Sequence, residues 1–200
     1  HDELSVPARN LVPFLKDLQL RDDAAREARA RLLDWDYVLD RDSVPAAIYV
    51  SWERRLQGRM RELLIPEAAR RFLGGINMKR LIDMVAAPDG RFGDNPIAGR
   101  DEILARCFEG ALDDLRQRLG PDPGKWQYGQ EKFKHALIRH PLGSAVDERT
   151  RALLEAGPLP RGGYGSTVNA TGGSDNQTSG ASFRIVADTE DWDNSVGTNA

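Results

Sequence analysis

Over the first 120 residues the apolar positions return every three or four places, the period of an α-helix with one buried face. Leu11, Val12, Phe14, Leu15 and Leu18 form one such stripe, behind Ser5 and Pro7, residues that suit a helix start. Ala28, Leu32 and Trp35 form a second, after the acidic pair Asp22-Asp23, whose charge favours the positive end of a helix dipole. Ser43-Val44-Pro45 opens a third, in which Ala47, Ile48, Trp52, Leu56, Met60 and Leu63 recur at helical spacing. Pro66 restarts the chain through Phe72, and Met78 to Val85 predicts another short helix. The turn residues from Pro88 to Pro96 predict a loop. Asp101 then opens a long helix carrying Ile103, Leu104, Cys107, Phe108, Leu112, Leu115 and Leu119, closed by Gly120 and Pro121.

Beyond Pro121-Asp-Pro-Gly124 the pattern changes. Trp126, Tyr128, Phe133 and the run His135–His140 predict a strand or extended segment, and Val146–Ala156 a short helix. Pro158 and Pro160 follow, then a glycine-rich turn at Gly162–Gly165 and a strand at Ser166–Ala170. A polar loop spans 172–180. The last strand, Ser182–Asp188, alternates so weakly that burial on both faces is expected. The fold class is therefore α+β, with a helical, bundle-like region over 1–120 and a strand-rich segment over 121–200.

Composition narrows the function classes. With 40% hydrophobic and 30% charged residues the chain is of ordinary globular type, and 28 basic against 31 acidic side chains create no field for nucleic acid or an anionic membrane. No run of about 18 apolar residues exists to span a bilayer. The opening HDELSVPARN has no apolar signal core, so any export signal is expected upstream. The arginines of the helical half alternate with acids and predict a solvated face, a polyanion site being the minor reading.

Few residues suggest chemistry. No HExxH, Cys-x-x-Cys, Gly-x-Ser-x-Gly or phosphate-loop motif occurs; Gly162–Gly165 lacks the Gly-Lys-Ser/Thr tail of a nucleotide site. Cys107, the only cysteine, lies on an apolar helix face and reads as a buried thiol rather than a nucleophile. His135 and His140 are five residues apart, a spacing that suits a two-ligand metal pair on neither strand nor helix. Both predict structural histidines bonded to backbone or carboxylate. The Asn169 and Asn176 sequons are attributed to chance. Asp188, leaving the last strand, is either a turn residue satisfying backbone N–H groups or a carboxylate pointing into a cleft. The acidic run Asp188–Asn194 does not have the spacing of an EF-hand loop.

Three ordered stretches carry a resemblance. Tyr128-Gly-Gln130, His135 and His140-Pro-Leu142 are similar to a W-x-Y/W-G-x…H…HPL segment of the penicillin acylase family. Gly163-Tyr-Gly-Ser-Thr-Val-Asn-Ala170 resembles that family's GG-x-G-x-T-V-N-A element, and Gly180–Asp188 its G-x-S-x-R-x-V-x-D strand. Asp191-Trp-Asp-Asn194 also fits, with a G-Q-S-G element expected just past Ala200. Leu33-Asp-Trp-Asp36 and Asp42-Ser-Val44 fit more loosely.

The resemblance implies an amidohydrolase acting on the acyl amide of a β-lactam side chain or an N-acyl homoserine lactone. It implies an αββα sandwich with helical insertions and a proenzyme that cuts itself to expose an N-terminal serine. That serine attacks the amide, its own α-amino group serving as base, while backbone and Asn donors hold the oxyanion. The nucleophile, the oxyanion Asn and the calcium ligands of the full-length parent are expected outside these residues, leaving the chain inactive alone and without a cofactor. Asp188 matches a glutamate that supports the catalytic histidine in the cephalosporin-processing branch, and so is implied to be an orienting carboxylate. The implied partners are the rest of the acylase and a small acyl amide, with no nucleic acid or membrane; self-association through uncovered strand edges is also expected. The implied location is the bacterial periplasm or exterior. A non-catalytic helical interaction module is the alternative.

Overall fold

The computed structural model describes residues 2–172, 174–181 and 183–199. About 51% of it is helical and strands are few, so the chain is α+β. Contacts divide it into two units: a helical one of Ser5–Val38 and Asp42–Gln127, and a second formed by the chain up to Leu4, Leu39–Arg41 and everything from Tyr128.

The helical unit starts where the capping residues place it. Ser5 Oγ accepts from the Ala8 amide at 3.1 Å to open α1 (Val6–Leu11), Asp22 caps α2 (Asp23–Leu33) and Ser43 caps α3 (Val44–Leu64). The first stripe does not stay α-helical to Leu18: Pro13 cannot donate to the ladder, and the chain tightens into a 3-10 turn over Val12–Leu15. After the single turn of α4 (Glu67–Arg70) comes α5 (Met78–Ala86). The long helix α6 (Pro96–Leu119) begins earlier than Asp101, because Asn95 caps it through the Ala98 amide at 3.2 Å and Pro96 fits its first turn. Gly120, at φ +99°, ends it in a conformation that side chains other than hydrogen disfavour.

Helix α3 is the axis of this unit. Residues 46–53 are all buried, a helix covered on every side, and its long partner is α6. Trp52, fully buried, meets Tyr49 and Phe108 edge to face at centroid distances of 6.3 and 6.2 Å and donates Nε1–H to the Leu104 carbonyl at 3.3 Å.

The second unit contains two short antiparallel ribbons. β1 (His135–Ile138) pairs with β2 (Ala156–Pro160) across α7 (Glu148–Leu154), which lies within the expected Val146–Ala156 span. β2 was not foreseen: its two prolines can pair only along one edge, and all five residues are exposed. β3 (Phe183–Val186) pairs with β4 (Val196–Asn199). The expected strand at Ser166–Ala170 is instead a chain of turns, because the Thr167 and Asn169 side chains take up backbone and neighbouring groups that a ladder would need. Burial of the last strand on both faces is also corrected. Phe183, Ile185 and Val186 are 59%, 64% and 68% exposed, since a two-stranded ribbon has no layer over either face. Ser182, where that strand was to begin, lies outside the described residues.

Replacing Trp52 with alanine should lower the unfolding free energy by about 3–5 kcal/mol in urea titrations, from lost burial and an unfilled cavity. Ile97→Ala, at a site 59% exposed, should change it by less than about 0.5 kcal/mol. Equal effects at the two sites would contradict α3 as the axis of the core.

Candidate functional site

Two of the recognisable stretches of the second unit, the one that opens at Tyr128 and Gly163–Ala170, meet in a buried polar cluster. Tyr128 and Phe133, 5.6 Å apart edge to face, are its apolar floor; Lys134, Thr167, Asn169 and Thr171 are buried with them. Buried polar groups must find partners inside. Tyr128 O–H donates to the Gly163 carbonyl at 2.7 Å, and Thr171 O–H to the Gly162 carbonyl at 3.0 Å. Lys134 Nζ donates to the Thr171 carbonyl at 2.8 Å. The Thr167 hydroxyl accepts from the Tyr164 amide at 2.9 Å and donates to Asn169 Oδ1 at 2.5 Å, while Asn169 Nδ2 donates to Glu3 Oε1 at 3.3 Å.

Backbone bonds tie the same loop to distant chain. The Gly163 amide donates to the Leu39 carbonyl at 2.8 Å, Gly129 to Arg41 at 2.6 Å, and Asn169 to Asp2 at 2.9 Å. Gly163 sits at φ +69°, and a Cβ there would lie 2.2 Å from Asn169 Oδ1, so only glycine lets the asparagine amide approach. Chemically the cluster is a lock: every group named is engaged with another, and its work is to fix the loop.

The residues singled out in the sequence are not brought together. Asp188 is half-buried past β3, where its Oδ1 accepts from the Glu190 and Asp191 amides at 3.0 and 3.1 Å and its own amide donates to Ser195 Oγ at 3.0 Å. That is the turn arrangement, with both oxygen contacts local. His140 is exposed and accepts the Leu142 amide at Nδ1, 3.1 Å away, a backbone bond of the kind anticipated. His135 anchors its strand through backbone bonds to Asp175 and Gln177, but its buried Nδ1 has no hydrogen-bond partner, contrary to expectation. Among the described residues no group of three or more His, Cys, Asp or Glu side chains could hold a metal ion, and no helix is long and apolar enough to cross a membrane.

Both sequon asparagines are structural. Asn169 is 5% exposed, and Asn176 Oδ1 accepts the Leu137 amide at 2.9 Å. Cys107, in the helical unit, is buried, and desolvation pushes its thiol up to about 11 against the pull of Arg55 and Arg59. The burial of Lys134 is not legible in the sequence, where a lysine between aromatic and histidine residues reads as solvent-facing, and the T-V-N-A element marks Thr167 and Asn169 without showing that they bond each other. The Thr-x-Asn spacing after a glycine pair was the available signal.

Thr167→Val keeps the shape but strands the Tyr164 amide and Asn169 Oδ1, and should destabilise the chain by about 1–3 kcal/mol in thermal or urea unfolding. Ser166→Ala, at an exposed neighbour, should have little effect. For Cys107, the raised value means the folded state keeps the thiol proton that the unfolded chain releases. Stability from this source is whole below about pH 9 and is lost as pH rises through about 11. Iodoacetamide should label the native thiol negligibly at pH 8 and increasingly toward pH 11, whereas the guanidinium-unfolded chain reacts from well below pH 9. Rapid native labelling at pH 8 would contradict the burial of this thiol.

Comparison with known proteins places these features. A family model described as penicillin amidase matches residues 1–200. The chain is also 30% identical over 182 residues to QuiP, an acyl-homoserine lactone acylase of Pseudomonas fluorescens (strain Pf0-1). That alignment covers 82% of this chain but 21% of the relative, so the chain spans about a fifth of the relative's length. With the family model matched from end to end and the three ordered motifs folded into one unit, the chain belongs to the penicillin amidase family.

Proposed function

We propose that these residues are part of a longer acylase, an amide hydrolase that splits an acyl group from an amine, and that their share of the work is to build and brace the catalytic fold. The family match across residues 1–200 carries this reading, and the similarity to an acyl-homoserine lactone acylase supports it. N-acyl homoserine lactones are accordingly one proposed substrate class, with the acyl amides of β-lactam side chains the other.

In this reading the nucleophile is an N-terminal serine freed by autoprocessing in another part of the protein, and the chain by itself turns nothing over. The bare apolar faces of β3 and β4, with Val196 63% exposed opposite Val186, and Phe183 and Ile185 exposed as well, support a place within a larger αββα sandwich whose other strands and layers cover them. The partners are then the rest of the acylase and a small acyl amide, and the location is the periplasm or exterior of a bacterium. Calcium, where the full-length enzyme uses it, belongs to that other part. Self-association of the chain follows from the same uncovered edges. Asp188 is proposed as a positioning residue: its turn bonds occupy Oδ1, and Oδ2 is the oxygen through which it would orient a neighbour from the rest of the acylase.

A chromogenic phenylacetyl or long-chain acyl anilide separates the possibilities. The 200-residue chain should release no chromophore, while a protein extended to the relative's length should do so. Turnover by the chain alone would overturn the placement of the nucleophile; a full-length protein that cleaves no acyl amide would overturn the enzyme itself. In the active enzyme Asp188→Asn, which keeps a turn acceptor at Oδ1, should lower kcat and shift its pH profile with folding unchanged. Unaltered kcat and pH profile would leave Asp188 a turn residue only.

A further inference from the structure

Several arginines of the helical unit pair with carboxylates at its surface, as Arg59 does with Glu62 and Arg106 with Glu102. Arg61 and Arg70 are used differently: their partners are carbonyls, and what they hold is the loop that follows α4. Arg61, in the last turn of α3, donates through Nε to the Gly74 carbonyl at 3.2 Å. Its Nη2 donates to the Leu73 carbonyl at 2.9 Å and to that of Arg70. Arg70 reaches back, through Nε to the Ile65 carbonyl at 2.9 Å and through Nη2 to the Glu62 carbonyl at 3.0 Å. These are oxygens that the end of α3 leaves open, and Pro66, four residues beyond Glu62, has no N–H to offer. The Phe72 amide closes the turn on the Ala69 carbonyl at 3.0 Å.

The tip of this braced loop faces outward. Phe72 is 74% and Leu73 51% exposed, and the Arg71 guanidinium lies 4.5 Å from the centre of the Phe72 ring. Arg71 makes no ion pair among the described residues. Gly74 and Gly75 follow. Neither has a left-handed φ, and a Cβ on either would meet nothing within 4 Å, so nothing inside the chain requires glycine at these two places. Glycine is costly to order, and two arginines give up side-chain freedom to hold the loop. An apolar tip ordered in this way, beside backbone left bare, is preorganised for a surface that closes over it.

We propose that this loop is a docking knob for the rest of the acylase. Phe72 and Leu73 enter an apolar pocket on that surface, the bare backbone at Gly74-Gly75 lets it lie close, and a carboxylate on its rim meets Arg71. The alignment with the acylase relative covers 21% of that protein, so most of such an enzyme lies outside these residues and is there to supply the pocket. An aromatic side chain with an arginine at its edge is the composition enriched where proteins meet. This contact rests on the acylase reading.

Hydroxyl-radical footprinting read by mass spectrometry tests it on two proteins, the 200-residue chain and the protein extended to the relative's length. In the chain Phe72 and Leu73 should be oxidised readily; in the extended protein their modification should fall to the level of the buried Phe108. Gly75→Leu, whose Cβ meets no neighbour in the chain, should leave the chain's melting temperature unchanged or raised and lower that of the extended protein. Phe72→Ser/Leu73→Ser should leave the chain unchanged and likewise lower the extended protein. Equal oxidation of Phe72 in both proteins, or Gly75→Leu harmless to both, would overturn the knob. So would protection that fades on dilution, which marks a second copy, or that appears only with phosphatidylglycerol vesicles, which marks a membrane. Hydrolysis of the acyl anilide keeps the two readings apart. An extended protein that cleaves the anilide but leaves Phe72 oxidisable refutes the contact alone; one that protects Phe72 yet cleaves no acyl amide refutes the activity alone.

Discussion

The second unit depends on one constraint: its core is polar, and the buried groups around Tyr128 and Phe133 are satisfied from within, although His135 Nδ1 in the same unit has no partner. The helical unit closes around Trp52, Tyr49 and Phe108 mainly by excluding water, with the Trp52 Nε1–H and Tyr49 O–H bonded to the Leu104 carbonyl and to Glu53. Around Tyr128 and Phe133 there is little apolar surface to bury, and Lys134, Thr167, Asn169 and Thr171 occupy the places that leucines hold elsewhere. Such a core is specific because it has few acceptable arrangements: a half-satisfied network is worse than none.

This accounts for why the stretches that mark the family lie where they do. Tyr128 of the first motif reaches Gly163 of the second, Asn169 reaches Glu3, and Gly163 must be glycine for the asparagine to fit. The motifs are recognisable because the lock tolerates few residue types, and what they fix is geometry. The third motif's Asp188 is likewise bonded to two local amides.

Local chemistry made much of the helical unit legible. Ser5, Asp22 and Ser43 cap where they stand, and the stripes on α3 and α6 follow from period alone. The errors arose where one local signal masked another. Asp94-Asn95-Pro96 reads equally as a turn and as a cap followed by a first-turn proline, and α6 takes the second meaning. Thr167 and Val168 have strand propensity, but the threonine hydroxyl captures the backbone of Tyr164, so the turn wins. β2 was hidden by its prolines, and Phe183–Val186 looked like a buried strand although only its pairing, not its covering, is encoded nearby. The site suffered most, because a buried lysine is defined by carbonyls 37 and 40 residues away and no spacing rule announces it.

Native-state hydrogen exchange tests the lock most directly. If the polar core holds the unit together, the amides of Gly163, Tyr164, Asn169 and Ala170 should exchange only through opening of the whole unit, with protection matching that of the Tyr128–Lys134 segment. Exchange of these loop amides at the rate of freely exposed backbone, while the Tyr128–Lys134 segment remains protected, would contradict it.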